Sequence, residues 1–125
     1  MTPLVLASSS RWRRELLERL GLPFTWTAPS IDETPRRAES AETLVHRLAL
    51  GKANVVADAY SHHLIIGSDQ VAVFEGEILG KPADLSAARA QLARFSGRRV
   101  RFVTGLALID TQSARHWVCH EDYEV

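Results

Sequence analysis

The chain has one cysteine, Cys119, in 125 residues. A lone thiol excludes an internal disulfide framework, and a reducing compartment, the cytoplasm, is the default expectation. Long apolar runs are missing too. Nothing approaches the ~20 residues of a membrane-crossing helix, and the opening MTPLVLASSS has neither the basic start nor the apolar length of a secretory signal. No membrane partner is expected. Excess charge of either sign is absent, since fifteen basic residues balance fifteen acidic ones. That removes the global field that would draw in DNA or RNA, so no nucleic-acid partner is expected either. Lysine is scarce: Lys52 and Lys81 are the only two among the basic residues. The G-x-x-x-x-G-K-[ST] phosphate loop does not occur, and no Ser/His/Asp or Cys/His nucleophile arrangement is identifiable.

What is present is an ordinary globular composition, 46% hydrophobic and 24% charged. Residues 1–125 read as a single domain, long enough to bury roughly two thirds of its unfolded surface. The arginines are unevenly spread, with Arg11, Arg13, Arg14 and Arg19 in one group and Arg94, Arg98, Arg99 and Arg101 in another. Local positive patches on a neutral chain suit a small anionic ligand better than a long polyanion.

Periodicity predicts a strand over 3–8, then a helix from about 11 to 20 with Ser10 as N-cap and Gly21 at its end. A strand over 24–28 leads into the polar loop PSIDETPRRAES, and Ser40 opens a second helix to about 58. Residues 64–67 read as a strand, and 71–74 with Ile78 and Leu79 as a hairpin turning at 75–77. Asp84 caps a helix through about 95; strands follow over 100–109 and 116–125. The alternation predicts an α/β fold, a mixed twisted sheet flanked by helices. The last strand runs to the final residue, and the sequence reads as a domain lacking its C-terminal part. Apolar surface left open in that way would favour self-association, with a homodimer as one expected assembly.

Three constellations could carry chemistry. LASSSRWRRELL joins a strand, a serine turn and a helix start, which aims backbone N–H groups and hydroxyls at one point of positive potential. It is either an anion site or an ordinary strand-to-helix turn with solvated arginines. In IIGSDQ, Asp69 is expected where the strand ends, at the edge where α/β sheets bind ligands. There it could hold a divalent cation or take a proton from water, or it could merely cap its own turn. Glu33 in the IDE loop is a candidate second metal carboxylate, or a solvated loop charge. Lys52 in LALGKA and Lys81 in LGKP each follow a glycine, which lets backbone approach a ligand, and lysine acts as a point charge on phosphate. HWVCHED, with His116, Cys119 and His120, lacks a four-ligand zinc pattern and reads as structural.

Taken in order and spacing, LASSSRWRRELL, IDE, LALGKA, GSDQVA, LGKP and SGRRVRFVTGLAL resemble the Maf family of nucleotide pyrophosphatases, over nearly the whole chain. The resemblance implies an α/β fold of the Maf and ITPase kind, a divalent metal (Mg²⁺ or Mn²⁺), and hydrolysis of a nucleoside triphosphate to the monophosphate and pyrophosphate. It further implies that Asp69 is the general base, with Glu33 and Asp69 holding the metal. Ser8, Ser10 and Arg13 would cradle the triphosphate, and Lys52 and Lys81 would neutralise the leaving group. Trp12 with Gln70 is similar to the YceF-type subgroup, which implies 7-methyl-GTP as substrate. N7-methylation makes guanine cationic, and an indole face attracts a cation; Gln70 offers donors and an acceptor for a base edge. Trp12 could instead be core packing beside Leu16. Two alternatives stay open: a pyrophosphatase for other nucleotides, and a non-catalytic nucleotide-binding or regulatory protein.

Overall fold

The structure, a computed structural model, describes residues 3–79 and 84–125; Lys81 lies outside them. The described elements run β1 (Leu4–Ala7), α1 (Arg11–Glu18), β2 (Phe24–Thr27), α2 (Ala41–Ala57), β3 (Leu64–Phe74), β4 (Glu77–Leu79), α3 (Leu85–Phe95), β5 (Arg101–Asp110) and β6 (Arg115–Glu124). They form one mixed sheet in the order β2-β1-β3-β5-β6, with β4 paired on β3. β1 pairs in parallel with β2 and β3, whereas β3, β5 and β6 form an antiparallel series. The expected α/β architecture is the one observed.

Local chemistry sets most of the boundaries. Ser10, Ser40 and Asp84 each accept a hydrogen bond from the backbone N–H three residues on, satisfying one orphan donor of α1, α2 and α3. Phe74 faces Glu77 across the β3–β4 ladder, leaving Glu75-Gly76 as a two-residue turn. Both of these have positive φ, 51° and 79°, as a turn matched to strand twist requires.

The main core lies on one face of the sheet. Val5 and Ala7 of β1, Ile65 of β3, and Ala107 and Ile109 of β5 pack against Ala49, Ala53 and Val56 of α2. Farther along, Val45 and Ala41 meet Val73 and Val103. α1 lies toward the other face, where Leu16, Leu17 and Leu20 line a cavity of about 240 Å³ with Leu6, Ile66 and Leu106. α1 contributes no fully buried residue.

One boundary differs from expectation, and it changes how the site is built. Gly67-Ser68-Asp69 does not end a strand. β3 runs unbroken for 11 residues because β5 pairs with it from Leu64↔Asp110 to Val73↔Arg101. Gly67 is there to admit the helix: a Cβ would run into the carbonyl oxygen of Ala49 and lie 3.0 Å from the Cβ of Ala53. Gly105, on the neighbouring strand, stands in the same relation to Val45. A glycine inside a strand marks close backbone approach as readily as it marks a turn.

Candidate active site

Side chains alternate across a strand, so Asp69, two residues beyond Gly67, faces α2. On that helix Lys52 falls on the apolar face with Ala49, Ala53 and Val56, and is 9% exposed. An ammonium so placed needs a partner. It has two, donating to Oδ1 of Asp69 at 2.9 Å and pairing with Oε1 of Glu33 at 2.9 Å. Asp69 is 8% exposed; Glu33 reaches in from the loop before α2 and stays half exposed. Both carboxylate oxygens therefore lie within twice that distance of each other, around a single point.

The parallel ladder stops beside this point. Ala7 faces Gly67 in its last pair, so β1 gives way to the serine turn next to Ser68 and Asp69, while β3 continues against β5 alone as far as Gln70. Asp69 thus stands where the parallel part of the sheet opens, although its own strand does not end there. In the turn, Ser8 is buried and its Oγ accepts from the Ser10 N–H at 3.0 Å; Ser10 Oγ in turn accepts from Arg13 N–H at 3.3 Å.

Ser68 and Gln70 point to the opposite face. Ser68 Oγ donates to the Gly105 carbonyl at 3.0 Å, and Gln70 Nε2 donates to Thr104 Oγ1 at 2.8 Å and to the Tyr123 hydroxyl at 3.3 Å. They share a cavity of about 520 Å³ with Ser10, Trp12, Arg13 and Thr104. Trp12 is 71% exposed, so core packing is not its role; the indole stands at the rim of this cavity. Gln70 also lines a recess of about 280 Å³ with Glu33, Asp69, Leu48 and Ile78. The expected residues therefore fall into two groups, Lys52–Asp69–Glu33 on the α2 face and Ser10–Trp12–Arg13–Gln70 on the α1 face, joined at the Asp69–Gln70 step.

The point on which Oδ1 of Asp69 and Oε1 of Glu33 converge is held by the Lys52 ammonium. The two carboxylates, with their remaining oxygens, are nonetheless the donor type that suits Mg²⁺ or Mn²⁺, which take one or two protein carboxylates and complete their shell with water and phosphate oxygens. Among the described residues no group of three or more His, Cys, Asp or Glu converges as an all-protein metal site. Glu33 and Asp69 are the residues that could contribute to holding such a cation.

Sequence reasoning missed Arg47, Thr104 and Tyr123. Arg47 donates from Nε to Glu39 Oε2 at 2.8 Å and from Nη2 to Glu39 Oε1 at 2.9 Å. That hydrogen bonding holds the Glu39 carboxyl down at about 2, and the Arg47 guanidinium is raised in return. Thr104 and Tyr123 meet Gln70 only through cross-strand register, for which no local pattern exists.

The chain is similar to known proteins along its whole length. It is 66% identical over 125 residues to a 7-methyl-GTP pyrophosphatase from Chromohalobacter salexigens, covering 100% of this chain and 65% of that relative. It is 56% identical over 115 residues to a protein of the same name from Pseudomonas aeruginosa, covering 92% of this chain and 60% of the relative. The chain thus spans just under two thirds of these relatives' length. In fold it resembles a HAM1 protein from Coxiella burnetii, with a TM-score of 0.59 at 17% identity over 99% of this chain and 72% of the other. The Ham1 protein of Staphylococcus aureus gives 0.61 at 16% identity, over 98% and 70%. Residues 3–125 match the model of the Maf-like protein family, and the chain belongs to that family.

Proposed function

We propose that this chain carries the catalytic half-site of a metal-assisted nucleoside triphosphate pyrophosphatase whose favoured substrate is 7-methyl-GTP. The observation that supports this most is the buried Lys52 ammonium held between Asp69 and Glu33, beside a serine turn at a helix start. In this reading Asp69 orients a water and takes its proton as the water attacks the α-phosphorus. A divalent metal held by Glu33 and Asp69 would supply charge neutralisation for the phosphate oxygens. Lys52, whose ammonium offers three donors, balances both carboxylates and offers positive charge to the pyrophosphate that leaves. The N–H groups at the start of α1, with Arg13, receive the triphosphate, and Lys81 is assigned to the same phosphates. The base lies toward Trp12 and Gln70. That preference also rests on the names of the relatives and on the exposed indole, which suits a cationic purine.

The test is pyrophosphate release from 7-methyl-GTP, GTP, dTTP and UTP, with Mg²⁺, Mn²⁺ or EDTA, for the wild-type chain and for Asp69→Asn. The wild type should be metal-dependent and prefer the methylated substrate. Asn keeps the side-chain shape and leaves Lys52 its bond to Glu33, so the fold should survive while turnover falls about 10²- to 10⁴-fold, the usual worth of a general base. Equal turnover by the variant refutes the role of Asp69. A wild-type chain that binds nucleotide and releases nothing refutes catalysis and leaves binding as the function.

A further inference from the structure

The loop between β2 and α2 lies over the helix, and two consecutive residues of it are each held by a different cation of α2. The Glu33 carboxylate meets Lys52, and the Thr34 carbonyl accepts from Arg47 Nη2 at 3.1 Å. The same guanidinium forks onto Glu39 at the end of the loop. Glu39 Oε1 also accepts the Arg36 N–H at 3.0 Å, and Asp32 Oδ1 accepts the Thr34 N–H at 2.9 Å. On the near side of Glu33, Ile31 packs over Gly51. The Glu39 side chain is almost fully covered by these contacts. Glu33 itself is half exposed.

We propose that Arg47 is a positioning residue: its fork on Glu39 and its bond to the Thr34 carbonyl fix where Glu33 stands, and so set how tightly Glu33 and Asp69 together hold a divalent cation. Arginine suits this task because its planar fork satisfies three acceptors at fixed angles, which a lysine point charge does not reproduce. Arg47 touches neither the cation nor the nucleotide; it acts through Glu33. The inference rests on the proposed function only for the use of a divalent metal at these carboxylates.

The experiment is Mn²⁺ binding, read as loss of the free-ion electron paramagnetic resonance signal. It uses the whole chain as wild type, Arg47→Gln, Arg47→Lys, Glu33→Gln and the double variant R47Q/E33Q, with the metal-free melting temperature of each recorded. Arg47→Gln should weaken Mn²⁺ binding about 10- to 100-fold, the usual effect of losing a group that orients a ligand. Arg47→Lys should fall between it and wild type, and the double variant should bind no more weakly than Glu33→Gln alone. A merely structural Arg47 would lower the melting temperature and multiply with Glu33→Gln, which overturns the proposal. If Arg47→Gln does not fold, Arg47→Lys is read by the same criterion on the E33Q background. A wild-type chain that binds no Mn²⁺ overturns the metal reading of the site and this inference with it. Wild-type binding with unchanged Arg47 variants overturns this inference alone.

Discussion

Replacing Gly67 by alanine tests whether the contact between helix and sheet is as close as described. The added Cβ would overlap the Ala49 carbonyl oxygen and approach the backbone nitrogen and Cβ of Ala53 to 3.0 Å, all on a helix face that is fully buried. Comfortable carbon–carbon separation is about 3.5–4.0 Å, and the overlap with the Ala49 carbonyl oxygen is deeper than the approach to Ala53, so α2 must lift by at least about 1 Å. A gap of that size forfeits a quarter to a half of the dispersion energy of the atoms that part. Overpacking of this kind costs about 1–3 kcal/mol, and backbone cannot yield as a side-chain tip can, so Gly67→Ala should sit at the upper end, about 2–3 kcal/mol. For a chain of this size that lowers the melting temperature by roughly 6–15 °C. Lys52 rides on the displaced turn, and its bond to Asp69 should lengthen. Gly51→Ala is the control: its Cβ would meet only Ile31 Cδ1, at 3.4 Å, and alanine in a helix interior gains about 0.5–1 kcal/mol over glycine. Urea unfolding followed by circular dichroism measures both. If Gly67→Ala lies within 0.5 kcal/mol of wild type, or if Gly51→Ala costs as much, the reasoning fails.

Two further outcomes are expected. The Glu39 carboxyl is lowered from an ordinary 4.5 to about 2 by the Arg47 hydrogen bond first and the Arg36 N–H next; a depressed folded value stabilises the chain above the unfolded pKa and is lost as pH falls through the folded one. Unfolding midpoints of wild type and Glu39→Gln should therefore differ at neutral pH and draw together between pH 4.5 and about 2, and a constant gap across that window contradicts the clamp. Trp12→Ala should leave stability unchanged, because the indole is exposed, yet reduce the kcat/KM ratio of 7-methyl-GTP to GTP about 2- to 30-fold, the equivalent of a cation–π contact of ~0.5–2 kcal/mol. An unchanged ratio removes Trp12 from base recognition.

Much of this fold could be read from the chain itself, because its signals are local. The N-caps Ser10, Ser40 and Asp84 stand at the helix starts expected of them, and the turn at Glu75-Gly76 is where the break between apolar runs placed it. The continuity of β3 was not readable. Gly-Ser-Asp carries the residue types of a turn, and only pairing with a strand some forty positions later keeps it extended. Motif order singled out Glu33, Lys52 and Asp69, which the structure brings together; Lys81, singled out in the same way, lies outside the described residues. That Lys52 bridges Asp69 and Glu33 depends on where α2 crosses the sheet, and that Arg47 reaches the Thr34 carbonyl next to Glu33 depends on how a polar loop drapes over the helix. Neither leaves a trace in spacing.

Asp69 and Gln70 are adjacent in the chain and face opposite sides of one strand. On the proposed reading, one residue of the strand serves bond cleavage and the next serves base choice, so the two tasks fall to different side chains at a single step of the backbone. Randomising Trp12, Thr104 and Tyr123 would then yield enzymes that choose different nucleobases while hydrolysing the same anhydride. The fold would thereby allow ligand preference to drift within a family whose reaction stays constant.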